Sequence, residues 1–385
     1  MWFFTNPRIV LGAGSIEFLA SLQRQKALLI CDADVARLGI PERLADPIRR
    51  GGGQVRVFDG VVADPPLENV EKALGVAREF QPDLIVGCGG GSSMDVAKAT
   101  YALYERPDLT VYDLHPLTEL KLGSRALLVG VPTTSGSGSE TTWAVVLTEG
   151  PGGRKLEFAH RELVPAWCIL DPLLPSTMPP RVTADTGADA LAHAIEAVAS
   201  DWRNPFSDAY ARDAVSRILA HLPRAVRPDP PLEVREQMHY AAAMAGMAFS
   251  NSQVGICHAM AHALGSIFRV PHGRCVGTTL PYAIEFNFRS ARERYEPLAP
   301  AFGVGAISDA QTMTDRLRRL WDAIGMPQTL EEMLGVGISE FEKRMPELVT
   351  RADQSTCVTA NPRIPSSREL EQLFWAAWRG ERVGF

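Results

Sequence analysis

The sequence predicts an α/β domain built on a parallel sheet, followed by an all-helical domain. Three observations carry this prediction. Across residues 26–170, short apolar runs alternate with segments of helical periodicity. Two of the runs end directly in glycine-rich turns. Beyond a proline-rich stretch at 171–181 the alternation stops and only helical patterns follow. The expected division is 1–180, an α/β domain, and 181–385, a helical domain.

The elements follow in order. Lys26–Cys31 (KALLIC) and Gln54–Phe58 (QVRVF) read as strands. Asn69–Phe80 places Val70, Ala73, Leu74 and Ala77 on one helical face. Asp83–Val86 is a strand, Ser92–Tyr104 a helix, and Ala126–Val131 and Trp167–Leu170 are strands again. Asp171–Arg181 (DPLLPSTMPPR) carries four prolines, which suit neither a helix interior nor a central strand, and reads as a linker. The helical segments are then Thr183–Ser200, Ser207–His221, Leu232–Ser250, Ile256–Phe268, Asp309–Ile324 and Ser366–Arg379.

Composition narrows the class. With 46% hydrophobic and 22% charged residues, the chain has the makings of folded domains rather than disorder. A net charge of −6 argues against a dedicated nucleic-acid binder, which needs a basic surplus to meet phosphates. The first ten residues do not read as a secretory signal, and no run approaches the ~18 apolar residues of a membrane span, so no membrane association is expected. The six cysteines are far apart with no CxxC pair, which suits reduced thiols and a cytoplasmic setting. The 32 glycines and 28 prolines are placed rather than scattered: glycines gather at 87–91 and 136–138, prolines at 172–180.

The two glycine-rich turns point to a dinucleotide. Strand Asp83–Val86 runs into Gly87-Cys88-Gly89-Gly90-Gly91-Ser92, and a helix begins there. Backbone N–H groups and the helix dipole at such a turn suit a pyrophosphate, whereas a tight turn needing positive φ is the plain alternative. No GK[ST] follows, so it is not an ATPase loop. The second turn, Pro132–Thr142 (PTTSGSGSETT), offers hydroxyls to ribose or phosphate, or is an ordinary polar loop. Two such turns at the carboxyl ends of strands in one sheet would face one crevice, where open α/β sheets bind ligands. Asp32, at the end of another strand, can accept hydrogen bonds from NAD ribose hydroxyls and would repel the extra phosphate of NADP; a helix N-cap is its simpler role. Gly12-Ala13-Gly14 reads as a plain turn.

The helical half carries a metal pattern. Asp189 and His193 are spaced i, i+4, so one helical face presents both; His258 and His262 repeat that spacing, and His272 follows in Pro-His-Gly. One carboxylate with several imidazoles suits Fe²⁺ or Zn²⁺. Ala259 stands where a zincin-type protease has its glutamate. His115, His160, His221 and His239 have no partner at ligand spacing, and Cys257 and Cys275 are left outside the set.

Together, Gly89–Lys98 (GGGSSMDVAK), Pro132–Glu140 (PTTSGSGSE), Asp189–Glu196 (DALAHAIE) and Gly255–Gly273 resemble the iron-containing (group III) alcohol dehydrogenase family over nearly the whole chain. The resemblance implies a dehydroquinate synthase-like architecture, a Rossmann-like NAD(P)-binding domain and a homodimer. It implies Asp189, His193, His258 and His272 as metal ligands and His262 as a catalytic histidine that relays a proton. Asp32, Asp64, Gly90, Gly91, Ser92, Thr133, Thr134, Ser137, Thr142 and Lys155 match cofactor contacts, and Phe249 and Cys357 fall near the substrate pocket. The implied chemistry is hydride transfer between a primary alcohol, or the matching aldehyde, and NAD, with NADP as the alternative cofactor and Fe²⁺ or Zn²⁺ as the metal. Competing expectations are a zinc glycerol dehydrogenase or another dehydroquinate-synthase relative, a non-catalytic NAD- or metal-binding module, and, more weakly, a metal hydrolase.

Overall fold

A computed structural model describes residues 3–150, 153 and 155–385. The chain divides into two compact units, Met1–Thr177 and Met178–Phe385.

The first unit is a six-stranded parallel sheet in the order β1-β8-β5-β4-β2-β3. Its strands are β1 (Arg8–Leu11), β2 (Lys26–Asp32), β3 (Gln54–Val61), β4 (Leu84–Gly89), β5 (Leu127–Pro132) and β8 (Trp167–Leu170). The hairpin β6 (Ala144–Thr148) and β7 (Lys155–Ala159) forms a separate antiparallel pair. Helices α1 (Ala33–Arg37), α2 (Ile40–Arg50), α3 (Leu67–Phe80) and α4 (Gly91–Glu105) connect the strands.

The central strands are continuous apolar runs because both faces are covered. Along β2, Ala27, Leu29 and Cys31 enter one core cluster while Leu28 and Ile30 enter the other. The two clusters are the two sides of the sheet. Strand order reverses between β2 and β4, and open α/β sheets bind ligands beyond the carboxyl ends of strands at such a reversal.

The second unit contains α5 (Pro180–Ala199), α6 (Pro205–Ala225), α7 (Leu232–Ser250), α8 (Ile256–Phe268), α9 (His272–Tyr295), α10 (Ala299–Phe302), α11 (Ala310–Ile324), α12 (Leu330–Leu334), α13 (Ile338–Asp353) and α14 (Ser367–Arg379). Helix α5 is its axis. Ala184, Ala188, Ala190, Ala192, Ala194 and Ala197 are buried within it, and these small side chains let neighbouring helices approach closely.

Three parts of the sequence reading need correction. Pro180 and Arg181 belong to the first turn of α5, not to a linker; proline fits there because the first helical N–H has no partner to lose. Helices α1, α2, α9, α10, α12 and α13 are absent from the sequence reading, and three of them carry a proline inside the helix, Pro47, Pro281 and Pro346. The edge strand β1 and the β6–β7 hairpin also escape a reading based on runs between helices. No helix among the described residues is long and apolar enough to cross a membrane.

Candidate active site

The helical unit builds a compact donor cluster. Helix α5 presents Asp189, His193 and Glu196 at i, i+4 and i+7, one face over two turns. Helix α8 adds His258 and His262, and α9 opens with His272. Asp189 Oδ1 lies 3.9 Å from His193 Nε2, 3.7 Å from His258 Nε2 and 3.5 Å from His272 Nε2. Donors about 2.0–2.2 Å from one tetrahedral ion stand about 3.3–3.6 Å apart, and the donor atoms of Asp189, His258 and His272 lie within 4.8 Å of one another, so these three can share a divalent cation, with His193 at the edge of the set. Asp189 Oδ1 and His258 Nε2 are buried with no hydrogen-bond partner, a costly state that a cation would relieve. The residues therefore fit a metal.

Burial works against charge on Asp189, but the surrounding His193, His272 and His258 imidazoles outweigh it and hold the carboxyl well below its ordinary range. For His258, burial is likewise opposed, here by Glu196 and Asp189, and its pKa is pushed up to about 9. Glu196 is the residue the sequence reading left without a role. Its Oε2 bonds His258 Nδ1 and its Oε1 accepts the Cys257 N–H at 2.8 Å. A carboxylate only accepts, so Nδ1 keeps its proton and Nε2 is the atom turned toward Asp189. The spacing Asp189-x₃-His193-x₂-Glu196 was the available signal.

His272 is held by backbone proximity. A Cβ on Gly273 would sit 2.2 Å from the Asp185 carbonyl oxygen, so only glycine lets α9 start against α5. Arg274 then pairs with Asp185 at 3.0 Å. His262 stands beside the cluster, its ring 5.2 Å from His272 and 6.2 Å from His258. Phe249 stacks on His193 at 4.2 Å, and Phe249, Cys357, Val254, Ala259 and Val358 share one apolar cluster. The structure thus gathers all seven residues assigned to metal, proton relay and pocket. His160, left aside on spacing, is occupied with the Glu162 N–H and the Thr118 carbonyl. All six cysteines are free and buried.

In the α/β unit, Asp32 ends β2 and Gly90 caps α4, on strands that flank the reversal of order. Asp32 Oδ1 accepts the Asp34 and Val35 N–H groups, each at 2.9 Å, so the plain N-cap role is real; Oδ2 faces the Gly89 turn. The glycines serve packing as well as any ligand: a Cβ on Gly89 would meet Ser93 Oγ at 2.4 Å, and one on Gly91 would lie 3.4 Å from Ser137. The two turns are joined where the Thr133 N–H donates to the Gly89 carbonyl at 3.0 Å. Gly90, Gly91, Ser92, Thr133, Thr134 and Ser137 surround this contact, and no side chain caps α4, which leaves its first-turn N–H groups for an anion. Asp64 and Lys155 form an ion pair with each other. The Thr142 hydroxyl is committed to the interior, accepting from Lys98 at 3.0 Å and bonding the Ser139 carbonyl at 3.3 Å.

The chain is similar to known proteins along nearly its whole length. Residues 6–172 match the iron-containing alcohol dehydrogenase family, and residues 183–378 match the C-terminal part of the Fe-containing alcohol dehydrogenase family. The NADPH-dependent butanol dehydrogenase of Clostridium saccharobutylicum is 36% identical over 391 residues, covering all of both chains. An alcohol dehydrogenase of Thermococcus barophilus is 36% identical, covering 98% of this chain and 100% of its own. Among solved structures, an iron-containing alcohol dehydrogenase from Thermococcus thioreducens superposes with a TM-score of 0.90 at 34% identity over 99% of this chain and 100% of that one. A 1,3-propanediol oxidoreductase gives 0.91 at 33% identity over 98% and 100%.

The chain belongs to the iron-containing alcohol dehydrogenase family. It is an oxidoreductase of the alcohol dehydrogenase class, and the glycerol dehydrogenase, hydrolase and non-catalytic readings give way to this one.

Proposed function

We propose that this chain interconverts small primary alcohols and their aldehydes, with Asp189, His193, His258 and His272 holding a divalent metal and the Gly90–Ser92 and Thr133–Ser137 turns holding NAD. The observation that carries the reading is the buried, unpartnered pair Asp189 Oδ1 and His258 Nε2 at the centre of an Asp/His₃ set. A divalent ion bound there supplies Lewis acidity, and the nicotinamide supplies the hydride acceptor.

This chain's own residues do the rest. Glu196 keeps the His258 ring in its ligating orientation. Phe249, Val254 and Cys357 give the alcohol carbon an apolar, water-poor surface. His262, half-buried beside His272, passes the alcohol proton toward solvent. Asp32 supports NAD over NADP, because a carboxylate at the β2 end repels a 2′-phosphate. The similar butanol dehydrogenase is described as NADPH-dependent, so cofactor choice is a point of expected divergence. A homodimer and a cytoplasmic setting complete the proposal.

The test is reconstitution with Fe²⁺ or Zn²⁺ and a panel of primary alcohols and aldehydes, assayed with NAD and NADP. Turnover with NAD above NADP is expected. A protein that binds metal and NAD yet turns over nothing on the panel would overturn the proposal.

A further inference from the structure

The α/β unit buries an ammonium group that has no place in the chemistry above. Lys98, on the third turn of α4, is 1% exposed. Its Nζ donates to Ser139 Oγ at 3.2 Å, Thr142 Oγ1 at 3.0 Å and the Ala144 carbonyl at 3.0 Å, which uses all three of its N–H groups. One helical turn earlier, Asp95 accepts from Ser139 Oγ at 3.1 Å and from the Val146 N–H at 3.2 Å. Glu140 is a second buried acid nearby.

The partners of Lys98 all belong to one stretch, the end of the second turn and the start of β6. The other end of that turn is tied to β4, where the Thr133 N–H donates to the Gly89 carbonyl at 3.0 Å. Thr133, Thr134 and Ser137 lie between these two anchors. The helix that carries Lys98 begins at Gly90–Gly91, where a Cβ added to Gly91 would come within 3.4 Å of Ser137. One side chain therefore sets the position of one glycine-rich turn against the other.

Desolvating an ammonium is expensive, and replacing a buried ion pair whole by apolar groups of similar volume is often neutral or stabilising, whereas removing one partner alone leaves the other charge, here Asp95, uncompensated. Filling space does not require lysine here; fixing three acceptors on a separate segment does. We propose that Lys98, together with Asp95, is a positioning residue for dinucleotide binding: it locks the Pro132–Thr142 turn onto α4 so that both turns present one preformed pyrophosphate cradle. This rests on the reading that these turns bind NAD.

The test uses the intact, metal-loaded enzyme. Lys98→Met keeps length and volume and removes the three donors. Hydrogen bonds from a charged donor are the stronger kind, so a loss of about tenfold or more in NAD affinity is expected, read as Kd by titration and as KM for NAD. The KM for alcohol, metal content and metal affinity should stay within about twofold, since no metal ligand is disturbed. Backbone amides over 133–142 should exchange faster with solvent. Ser139→Ala removes only the shared hydroxyl and should weaken NAD binding in the same direction by less; it serves as the readout if Lys98→Met does not fold. The proposal is overturned if both folded variants bind NAD within twofold of the parent, or if alcohol KM and metal content shift in parallel with NAD binding. A parent enzyme that binds neither NAD nor NADP would instead overturn the functional reading on which this rests.

Discussion

Replacing Glu196 by glutamine separates metal-site orientation from folding. In the native protein, Glu196 Oε1 accepts the buried Cys257 N–H and Oε2 bonds His258 Nδ1. Glutamine matches the carboxylate in shape. Its carbonyl oxygen can keep the Cys257 bond, so the amide NH₂ then faces His258 Nδ1. An NH₂ group only donates, so Nδ1 must become the acceptor and the ring proton moves to Nε2. That atom is the one 3.7 Å from Asp189 Oδ1, and a protonated nitrogen cannot ligate a metal. Loss of such an orienting partner weakens metal binding by about 10–100-fold, or about 1.4–2.7 kcal/mol. The assay is competition for Zn²⁺ or Fe²⁺ against a chelator of known affinity, with thermal unfolding of the metal-free proteins as control. Glu196→Gln should unfold within a few degrees of the parent when metal-free and bind metal at least tenfold more weakly. Glu196→Ala should lose metal and also about 1–3 kcal/mol of stability, because the Cys257 N–H is left without an acceptor. Metal affinity in Glu196→Gln within twofold of the parent would refute the reasoning.

Other outcomes follow from the same geometry. Gly273→Ala forces a Cβ to 2.2 Å from the Asp185 carbonyl oxygen, a clash between two backbones, and should cost about 1–3 kcal/mol in denaturant unfolding along with much of the bound metal. Burial holds Glu140 protonated up to about pH 7 in the folded chain. The unfolded chain releases that proton near its ordinary value, so folded stability should fall as pH rises between those two points, by up to ~1.4 kcal/mol per pH unit; Glu140→Gln should flatten that slope in urea titrations, and an unchanged slope would count against it. Removing metal from the loaded enzyme should lower the unfolding temperature by an amount that grows with free metal concentration, and calorimetry with and without chelator measures this.

Much of this protein is legible from local pattern. The strands β2, β4, β5 and β8 are apolar runs because their neighbours cover both faces, and a run of that kind is visible without knowing the neighbours. The Asp189/His193 and His258/His262 spacings are properties of single helices, readable from the 3.6-residue period. Helices α2, α9 and α13 are not legible in this way: each carries an interior proline, Pro47, Pro281 or Pro346, and holds together because tertiary packing outweighs the local helix penalty.

By itself the sequence determined the fold class and the two glycine-rich turns, and its helical spacings put Asp189 beside His193 and His258 beside His262. Tertiary structure alone decided how those groups are held: Glu196 against His258, the Asp185 carbonyl against Gly273, and Lys98 against Ser139 and Thr142. Residue type and helical period are local and written along the chain. The close approach of one helix to another, and the partner that settles which nitrogen carries a proton, arise only when segments distant in sequence pack together.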